Sequence, residues 1–140
     1  MNLPVAAAVH DLSADMVCLG HCDQWVALHG RASHAADGSP VSVVGLPHAR
    51  AFPGRDAARW VEVHEAVRRG EHRFSLDDVF EPEDGGEPVP IAWWMFPALR
   101  DGVLRGTFFL AVRRDQPESA LIAERLAEQR LGRTLAELLP

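Results

Sequence analysis

The chain has few of the residues that would place it among disulfide-rich, metal-binding or membrane proteins. It holds two cysteines in 140 residues, too few for a disulfide framework. Cys18 and Cys22 flank His21, but a structural zinc site needs about four ligands in paired spacing and no second pair is present. No apolar run approaches the ~20 residues of a membrane-spanning helix, and no secretory leader is recognisable. We therefore expect a soluble, cytoplasmic protein with no metal site and no membrane partner.

Basic residues are also scarce. The 14 basic residues, all arginine, are outnumbered by 20 acidic ones, and the formal net charge is −6. Because phosphate binding needs clustered positive charge and the sequence has no basic stripe, we expect no nucleic-acid partner. The sequence also lacks a nucleophile with a base at readable spacing and a glycine-rich phosphate loop. An enzyme is therefore not expected, and only Asp78 and His64 could serve an unassisted reaction.

The length and the 47% hydrophobic content allow one buried core, so we expect one domain. In the first half, Val5–His10 and Met16–Cys22 are strand patterns. The segment that follows places Trp25 and Leu28 on one face of a short helix. Residues 34–40 have the composition of a loop.

A longer helix and three strands are predicted in the second half. The helix runs from Asp56 to Arg69, with an apolar stripe of Trp60, His64 and Val67 that must face a sheet. Three strand patterns follow, joined by turns that contain Asp-Gly: Arg73–Glu81, Val89–Leu99 and Val103–Val112. Alternation along the first of these predicts one shared face for Phe74, Leu76, Asp78 and Phe80.

This order of elements resembles a PAS domain, and so do the residues at its joints. The matching positions run over nearly the whole chain: Pro4-Val5-Ala6, Asp11, Trp25, Val44-Gly45, Ala51-Phe52-Pro53, Trp60 to His64, Gly70-Glu71, Asp84-Gly85, Trp93, Pro97 and Arg105-Gly106. They look most like the bacterial PAS domains at the front of histidine kinases and diguanylate cyclases. Pro88 and Pro90 depart from the pattern, and because proline donates no ladder bond, we expect that strand to begin frayed or at a free edge.

The resemblance implies an α+β fold in which a five-stranded antiparallel sheet carries helices on one face and ends in a C-terminal helix. Residues 1–115 would form the sensory domain, and residues 116–140 a signalling and dimerisation helix. The sheet and helices of such a domain enclose a pocket that holds a small ligand or only side chains. The candidate pocket residues are Trp25, Phe52, Trp60, His64, Phe74 and Trp93.

Two cofactors known from PAS domains can be weighed against the sequence. His64 projects from the helix stripe and could ligate haem iron, or it could be a hydrogen-bonded core histidine beside Trp60. Covalent flavin binding would need an Asn-Cys-Arg motif, which is absent because the single asparagine is Asn2. Trp25 and Trp60 could stack on a noncovalent aromatic ligand or could be core residues. The cofactor, if any, stays open.

The opposite face of the sheet provides a candidate partner surface. Trp94 and Phe96 alternate with Trp93 and should lie exposed on the face that no helix covers. A second copy of the chain could bury them, or a terminal segment could fold back over them. The terminal helix pattern contributes Ile122 and Leu126 to the same candidate surface.

Three functions therefore remain open. The first is a ligand-responsive sensor that passes a conformational signal through its C-terminal helix, as a homodimer, to a histidine kinase or diguanylate cyclase output domain or partner. The second is a ligand-free dimerisation or protein-interaction module. The third is a haem-based redox or gas sensor that uses His64.

Overall fold

The computed structural model describes residues 5–32, 34–54, 56–118 and 121. Five strands and three helices follow one another along this part of the chain: β1 (Val5–His10), β2 (Cys18–His21), α1 (Asp23–Leu28), α2 (His48–Ala51), α3 (Ala57–Arg68), β3 (Arg73–Phe80), β4 (Val89–Arg100) and β5 (Val103–Arg113). Within these residues, no helix is long and apolar enough to cross a membrane. Most of the predicted C-terminal helix, including Ile122 and Leu126, lies outside the described residues.

The five strands form one antiparallel sheet in the order β2-β1-β5-β4-β3. This confirms the predicted α+β class and the five-stranded sheet. The two longest strands, β4 and β5, are joined by a two-residue turn at Asp101 and Gly102, which have φ angles of 52° and 74°. Two consecutive positive φ angles are typical of the tight hairpin turn whose twist matches the flanking strands. The turn sets the pairing of Arg100 with Val103, and a bulge between Ala98 and Leu99 shifts the register by one residue for the rest of the two strands.

Side chains of the sheet divide into two apolar clusters, one on each face. The inner cluster includes Trp93, Met95 and Phe109 together with residues from all three helices. The outer cluster contains strand residues only, and its buried members are Ala92, Trp94, Phe96, Leu110 and Val112. Since adjacent residues of a strand point to opposite faces, Trp93 and Trp94 are necessarily separated, as the alternation predicted. The helices therefore lie on the inner face.

The outer face is less exposed than the sequence analysis expected. Trp94 and Phe96 lie on this face, but their exposed fractions are only 8% and 1%. Their predicted exposure is wrong. The ring of His72 stacks on Phe96, with ring centroids 6.3 Å apart. Whether the same residues contact a second copy of the chain stays a prediction.

A bulge in β3 corrects the placement of Phe74. Phe74 pairs with Trp94 and Ser75 pairs with Trp93, but the next paired residue is Asp78, opposite Ile91. The additional residue in β3 reverses the alternation, because each added residue moves the following side chains to the other face. Phe74 therefore shares the outer face with Trp94 and is 63% exposed, so its assignment to the pocket is wrong.

Pro90 also lies where the sequence analysis did not expect it. It belongs to β4, which pairs with β3 on one side and β5 on the other, so the expected free edge is wrong. The carbonyl oxygen of Pro90 accepts a hydrogen bond from the backbone N–H of Arg114 at 2.8 Å. Proline lacks only the donor, so a proline near the start of a central strand can still contribute its acceptor to the sheet.

Candidate functional site

The inner cluster contains a group of polar rings that is almost completely buried. His10, His29, His48, His64, Trp25 and Trp60 are each at most 3% exposed. The centroid of the His48 ring lies 5.6 Å from that of His29 and 6.1 Å from that of His10, which lies 6.4 Å from that of His64. Trp25 packs at the centre of this group, against three of the four histidines. A row of histidines therefore crosses the inner core.

His64 is the one member of this row with partners for both ring nitrogens. Its Nε2–H donates to the carbonyl oxygen of Ser13 at 3.1 Å, so its Nδ1 accepts from the hydroxyl of Thr107 at 2.8 Å. The side chain of Asp11 fixes Ser13 by accepting from both its backbone N–H and its hydroxyl. His64 thus connects α3 to β5 and to the loop after β1. With both nitrogens engaged within the fold, it does not fit the role of an iron ligand.

His29 has a defined tautomer. It follows α1, and its Nδ1–H donates to the carbonyl oxygen of Trp25 at 2.8 Å. The carbonyl can only accept, so Nδ1 carries the proton and Nε2 keeps its lone pair. The ring is held flat against Phe52, with centroids 3.7 Å apart and an interplanar angle of 15°. His29 therefore presents a hydrogen-bond acceptor whose direction is fixed by packing.

Five buried side-chain nitrogens in this region have no hydrogen-bond partner among the described residues: His10 Nδ1, Trp25 Nε1, His29 Nε2, His48 Nδ1 and Trp60 Nε1. Buried polar atoms are nearly always paired, because an unpaired one costs about 1–3 kcal/mol of desolvation. Several such atoms in one core region indicate that something outside the protein chain, a ligand or ordered water, completes their hydrogen bonding.

Burial lowers the pKa of every histidine in the row. Desolvation is the largest cause in each case, and it lowers the pKa of His10 and His29 to about 3 and that of His48 to about 4. Repulsion from neighbouring rings adds to the effect, as from His48 on the pKa of His10. The pKa of His64 is lowered as well, again mainly by desolvation. All four rings are therefore neutral at pH 7.

A cavity of about 10 Å³ lies at one end of the row, about the size that holds a single water molecule. The aromatic and imidazole part of its wall consists of His29, His48, Phe52, Trp60 and Phe80. Three of the unpartnered nitrogens belong to these residues. The residues of the cavity wall therefore include aromatic rings and three side chains that each carry an unpartnered nitrogen. It is much too small for haem or a flavin.

Acidic residues border the cavity, and one of them, Glu83, is paired with Arg31. Asp56, Glu81 and Glu83 border the cavity together with Gly54. Glu83 accepts from Nε of Arg31 at 3.2 Å and from Nη2 at 3.3 Å, and the guanidinium carbon of Arg31 lies 5.2 Å from the centroid of Phe52. This two-bond pair fastens the segment after α1 to the segment after β3.

The structure separates the predicted pocket residues into three groups. Phe52 and Trp60 line the cavity, while Trp25, His64 and Trp93 lie elsewhere in the inner cluster. Trp93 Nε1 donates to Asp78 Oδ2 at 2.7 Å, and Arg59 pairs with the same carboxylate. Phe74 is on the outer face, as described above. The role of the inner residues in ligand binding stays a prediction.

His10, His29 and His48 were not among the predicted site residues. His10 follows Ala6 and Ala8 at period two, so alternation in β1 could have placed it on the buried face. His29 comes directly after α1, and His48 begins the four-residue α2, so neither belongs to a segment with a readable period. Within the described ranges, no group of three or more histidine, cysteine or acidic residues is arranged to hold a metal ion.

Comparisons with known proteins identify the fold. No protein-family description matches the sequence, and no curated protein matches it. Among solved structures, a blue-light activated histidine kinase from Erythrobacter litoralis is similar over 98% of this chain, with a TM-score of 0.64 and 21% identity. The PAS domain of Bordetella pertussis BvgS matches over 91% of this chain and 88% of its own, with a TM-score of 0.58 and 20% identity.

The chain has a PAS fold. A phage VqmA–DPO complex is also similar, with a TM-score of 0.59 and 19% identity over 93% of this chain and 55% of the other. This PAS domain spans 42% of the length of the histidine kinase. The cavity lies on the inner face of the sheet, which the helices cover, beside α2, α3 and the end of β3.

The neutral histidines predict a steep loss of stability in acid. The unfolded chain binds protons as the pH falls below about 6.5, whereas folded His10, His29 and His48 stay neutral to about pH 4, so stability is complete above pH 6.5. Below pH 6.5, each of these rings lowers the free energy of unfolding by about 1.4 kcal/mol for each pH unit. Together the three rings lower it by about 4 kcal/mol for each pH unit, so the protein is expected to unfold between about pH 5 and 4.

Urea unfolding followed by circular dichroism at a series of pH values measures this slope. His48→Leu should reduce the slope by about one third, because one of three proton-excluding rings is lost. Phe52→Leu is the matched control, since it changes the same ring contacts without removing a titrating group. A free energy of unfolding that stays constant from pH 7 to pH 5 would contradict the assignment of neutral, buried histidines.

Proposed function

We propose that this chain is a sensory PAS domain that binds a small molecule in the cavity of its inner face and passes the resulting change through its C-terminal helix, residues 116–140, as a homodimer. The observation that carries the proposal is the presence of unpartnered nitrogens on three residues that line one cavity, His29, His48 and Trp60. A core evolved only for stability would replace such rings with apolar ones, because unpaired polar atoms weaken the fold. A bound molecule that pairs with them would stabilise the ligand-bound arrangement over the free one, which is the condition for a sensor.

Contacts across the sheet support a mechanical route from the cavity to the outer face. Trp60 lines the cavity, and its ring centroid lies 5.0 Å from that of Trp93 in an edge-to-face arrangement. Trp93 neighbours Trp94, a member of the outer cluster. Because close-packed side chains transmit displacement, a shift of Trp60 would move β4 and with it the outer cluster. The outer cluster is where we place the second copy in the proposed homodimer.

The similar solved structures suggest which kind of domain would receive the signal. One is a histidine kinase activated by blue light, and another is a VqmA structure bound to DPO. By analogy, a histidine kinase or diguanylate cyclase domain, in the same chain or in a partner, would receive the signal. This analogy rests on fold, since identities are near 20%.

A second candidate function is favoured by the small size of the cavity. A volume of about 10 Å³ leaves no room for a metabolite unless side chains move. A ligand-free dimerisation module with water in the cavity would account for this volume. The two functions differ in whether the protein loses a bound molecule when it is unfolded.

Melting temperatures before and after refolding separate the two functions. We expect the protein as purified to melt at a higher temperature than the same protein unfolded, dialysed and refolded, because a ligand that binds only the folded state adds stability. Adding back the small-molecule fraction of the expression host should restore the higher value. Equal melting temperatures before refolding, after refolding and after addition would contradict the sensor proposal and favour the dimerisation module.

The dimer can be tested at Phe74, which is exposed and lies beside Trp94 on the outer face. We expect Phe74→Glu to weaken self-association at least tenfold, because it puts a charge into an apolar contact while leaving the inner core intact. Val103→Glu is the control, at a similarly exposed apolar position by the β4–β5 turn. Analytical ultracentrifugation measures both. A strictly monomeric parent protein at high concentration would contradict the dimer.

A further inference from the structure

We propose that the turn at residues 82–86, between β3 and β4, is the gate of the inner cavity, and that Arg31 is the latch that holds this gate closed. Opening of the turn would admit solvent or a small molecule to the cavity without unfolding of the core. The inference concerns the route into the cavity. It therefore goes beyond the proposed function and does not depend on it.

The cavity has a buried wall and a wall that faces solvent. The aromatic and imidazole residues of the wall are at most 3% exposed. The other lining residues are half-buried or exposed, and they include Gly54 and Asp56 before α3 and Glu81 and Glu83 after β3. The route from solvent into the cavity therefore leads between the segment before α3 and the segment after β3.

The turn closes this route by contact with the chain on both sides. A Cβ atom on Gly30 would lie 2.7 Å from the carboxylate carbon of Asp84, so a larger residue there would displace the Asp84 side chain. On the other side, a Cβ atom on Gly54 would lie 3.5 Å from Cα of Glu83, in van der Waals contact. The turn thus lies across the gap between the segment after α1 and the segment before α3.

Polar contacts hold the turn in this position. The backbone N–H of Glu83 donates to the carbonyl oxygen of His29 at 3.0 Å, and Arg31 adds its two bonds to the Glu83 carboxylate. The side chains of Arg31 and Glu83 are 40% and 20% exposed. Just before the turn, the N–H of Glu81 donates to Asp56 at 3.3 Å, which fixes the end of β3. Because contacts at half-exposed atoms bury little apolar surface, the turn can open at a lower cost than the core.

The turn is built so that it can move as a unit. The N–H of Gly85 donates to the carbonyl oxygen of Pro82 at 3.3 Å, and the N–H of Gly86 donates to the carboxylate of Asp84 at 2.8 Å. Both bonds lie within the turn, so they persist when it moves. Gly85, with a φ angle of 77°, and Gly86 allow the chain to change direction at one end. Opening therefore costs chiefly the bonds that Glu83 makes.

Hydrogen exchange of two indole N–H groups measures the opening. Trp25 and Trp60 are each 1% exposed, and Nε1 of each has no partner among the described residues, so exclusion of water protects both. Trp60 lines the cavity, whereas Trp25 is not one of its lining residues. We expect Arg31→Ala to speed exchange of the Trp60 indole and of the Glu83 backbone N–H about fivefold, because loss of a half-exposed ion pair favours the open turn. Exchange of the Trp25 indole should stay unchanged. NMR spectra recorded after transfer to deuterated water measure all three rates.

A second variant and a matched control assign the effect to the latch. Glu83→Gln keeps the length of the side chain and the backbone bond to His29 but removes the charge, so it should produce most of the effect of Arg31→Ala. The double variant should exchange no faster than Arg31→Ala, since the pair is already broken. Arg73→Ala removes an arginine from its exposed pair with Glu71, at the start of β3, and should leave exchange of the Trp60 indole unchanged.

Selective acceleration at Trp60 and Glu83 in both latch variants supports the gate. Equal acceleration at Trp25 and Trp60 would show that Arg31 stabilises the whole core, and unchanged exchange at Trp60 would show that solvent enters elsewhere. Either result would overturn the proposal. High salt should speed exchange at Trp60 in the parent protein but not in Arg31→Ala, because screening weakens the exposed pair. Since water is the probe, these results do not depend on whether the purified protein carries a ligand.

Discussion

Desolvation of the histidine row is the constraint on which the inner core depends. Four imidazoles and the indoles of Trp25, Trp60 and Trp93 lie on the inner face of the sheet, and among the four histidines only His64 has partners for both ring nitrogens. Burial keeps the rings neutral, because a charged imidazole would lose its hydration in the core. The same burial makes each unpaired nitrogen costly, and the core therefore gains from any small molecule that pairs with it. The dependence of stability on pH and the proposed ligand binding would thus both follow from the buried rings.

The sheet separates this polar core from the apolar outer cluster. β4 contributes to both, because Trp93 faces the cavity side and Trp94 the opposite side. The bond from Trp93 to Asp78, and the pairing of Asp78 with Arg59 on α3, tie β4, β3 and α3 together on the inner side. In the proposed sensor, these contacts would couple a displacement at the cavity to the strand that carries the outer surface. Short connections between tightly packed rings suit a domain that converts ligand binding into a movement of its outer face.

Much of the fold could be predicted from the sequence, because its strands have a clear period and its turns have specific chemistry. The alternation along β4 correctly predicted which face of the sheet carries Trp93, Trp94 and Phe96. The Asp101-Gly102 pair correctly predicted the position of the turn between β4 and β5. Phe74 was misplaced because the extra residue in β3 leaves no mark in a sequence of mixed polarity. Pro90 was misplaced because strand order, and so the identity of the edge strand, is not encoded locally.

The polar core was harder to predict than the sheet. His29 and His48 lie at helix ends, where local periodicity does not define a buried side, and only the packing of α1 and α2 brings them together. A residue-by-residue reading favoured His64, which lies on a long helix stripe, although it is the histidine whose hydrogen bonds are complete. The unpaired nitrogens become visible only when every donor and acceptor in the core is followed to its partner.

A crystal structure of the protein as purified tests the central claim most directly. The account predicts a small molecule in the inner cavity that forms a hydrogen bond with at least one of the unpartnered nitrogens of the lining residues, His29 Nε2, His48 Nδ1 and Trp60 Nε1. A cavity that holds water alone would contradict it.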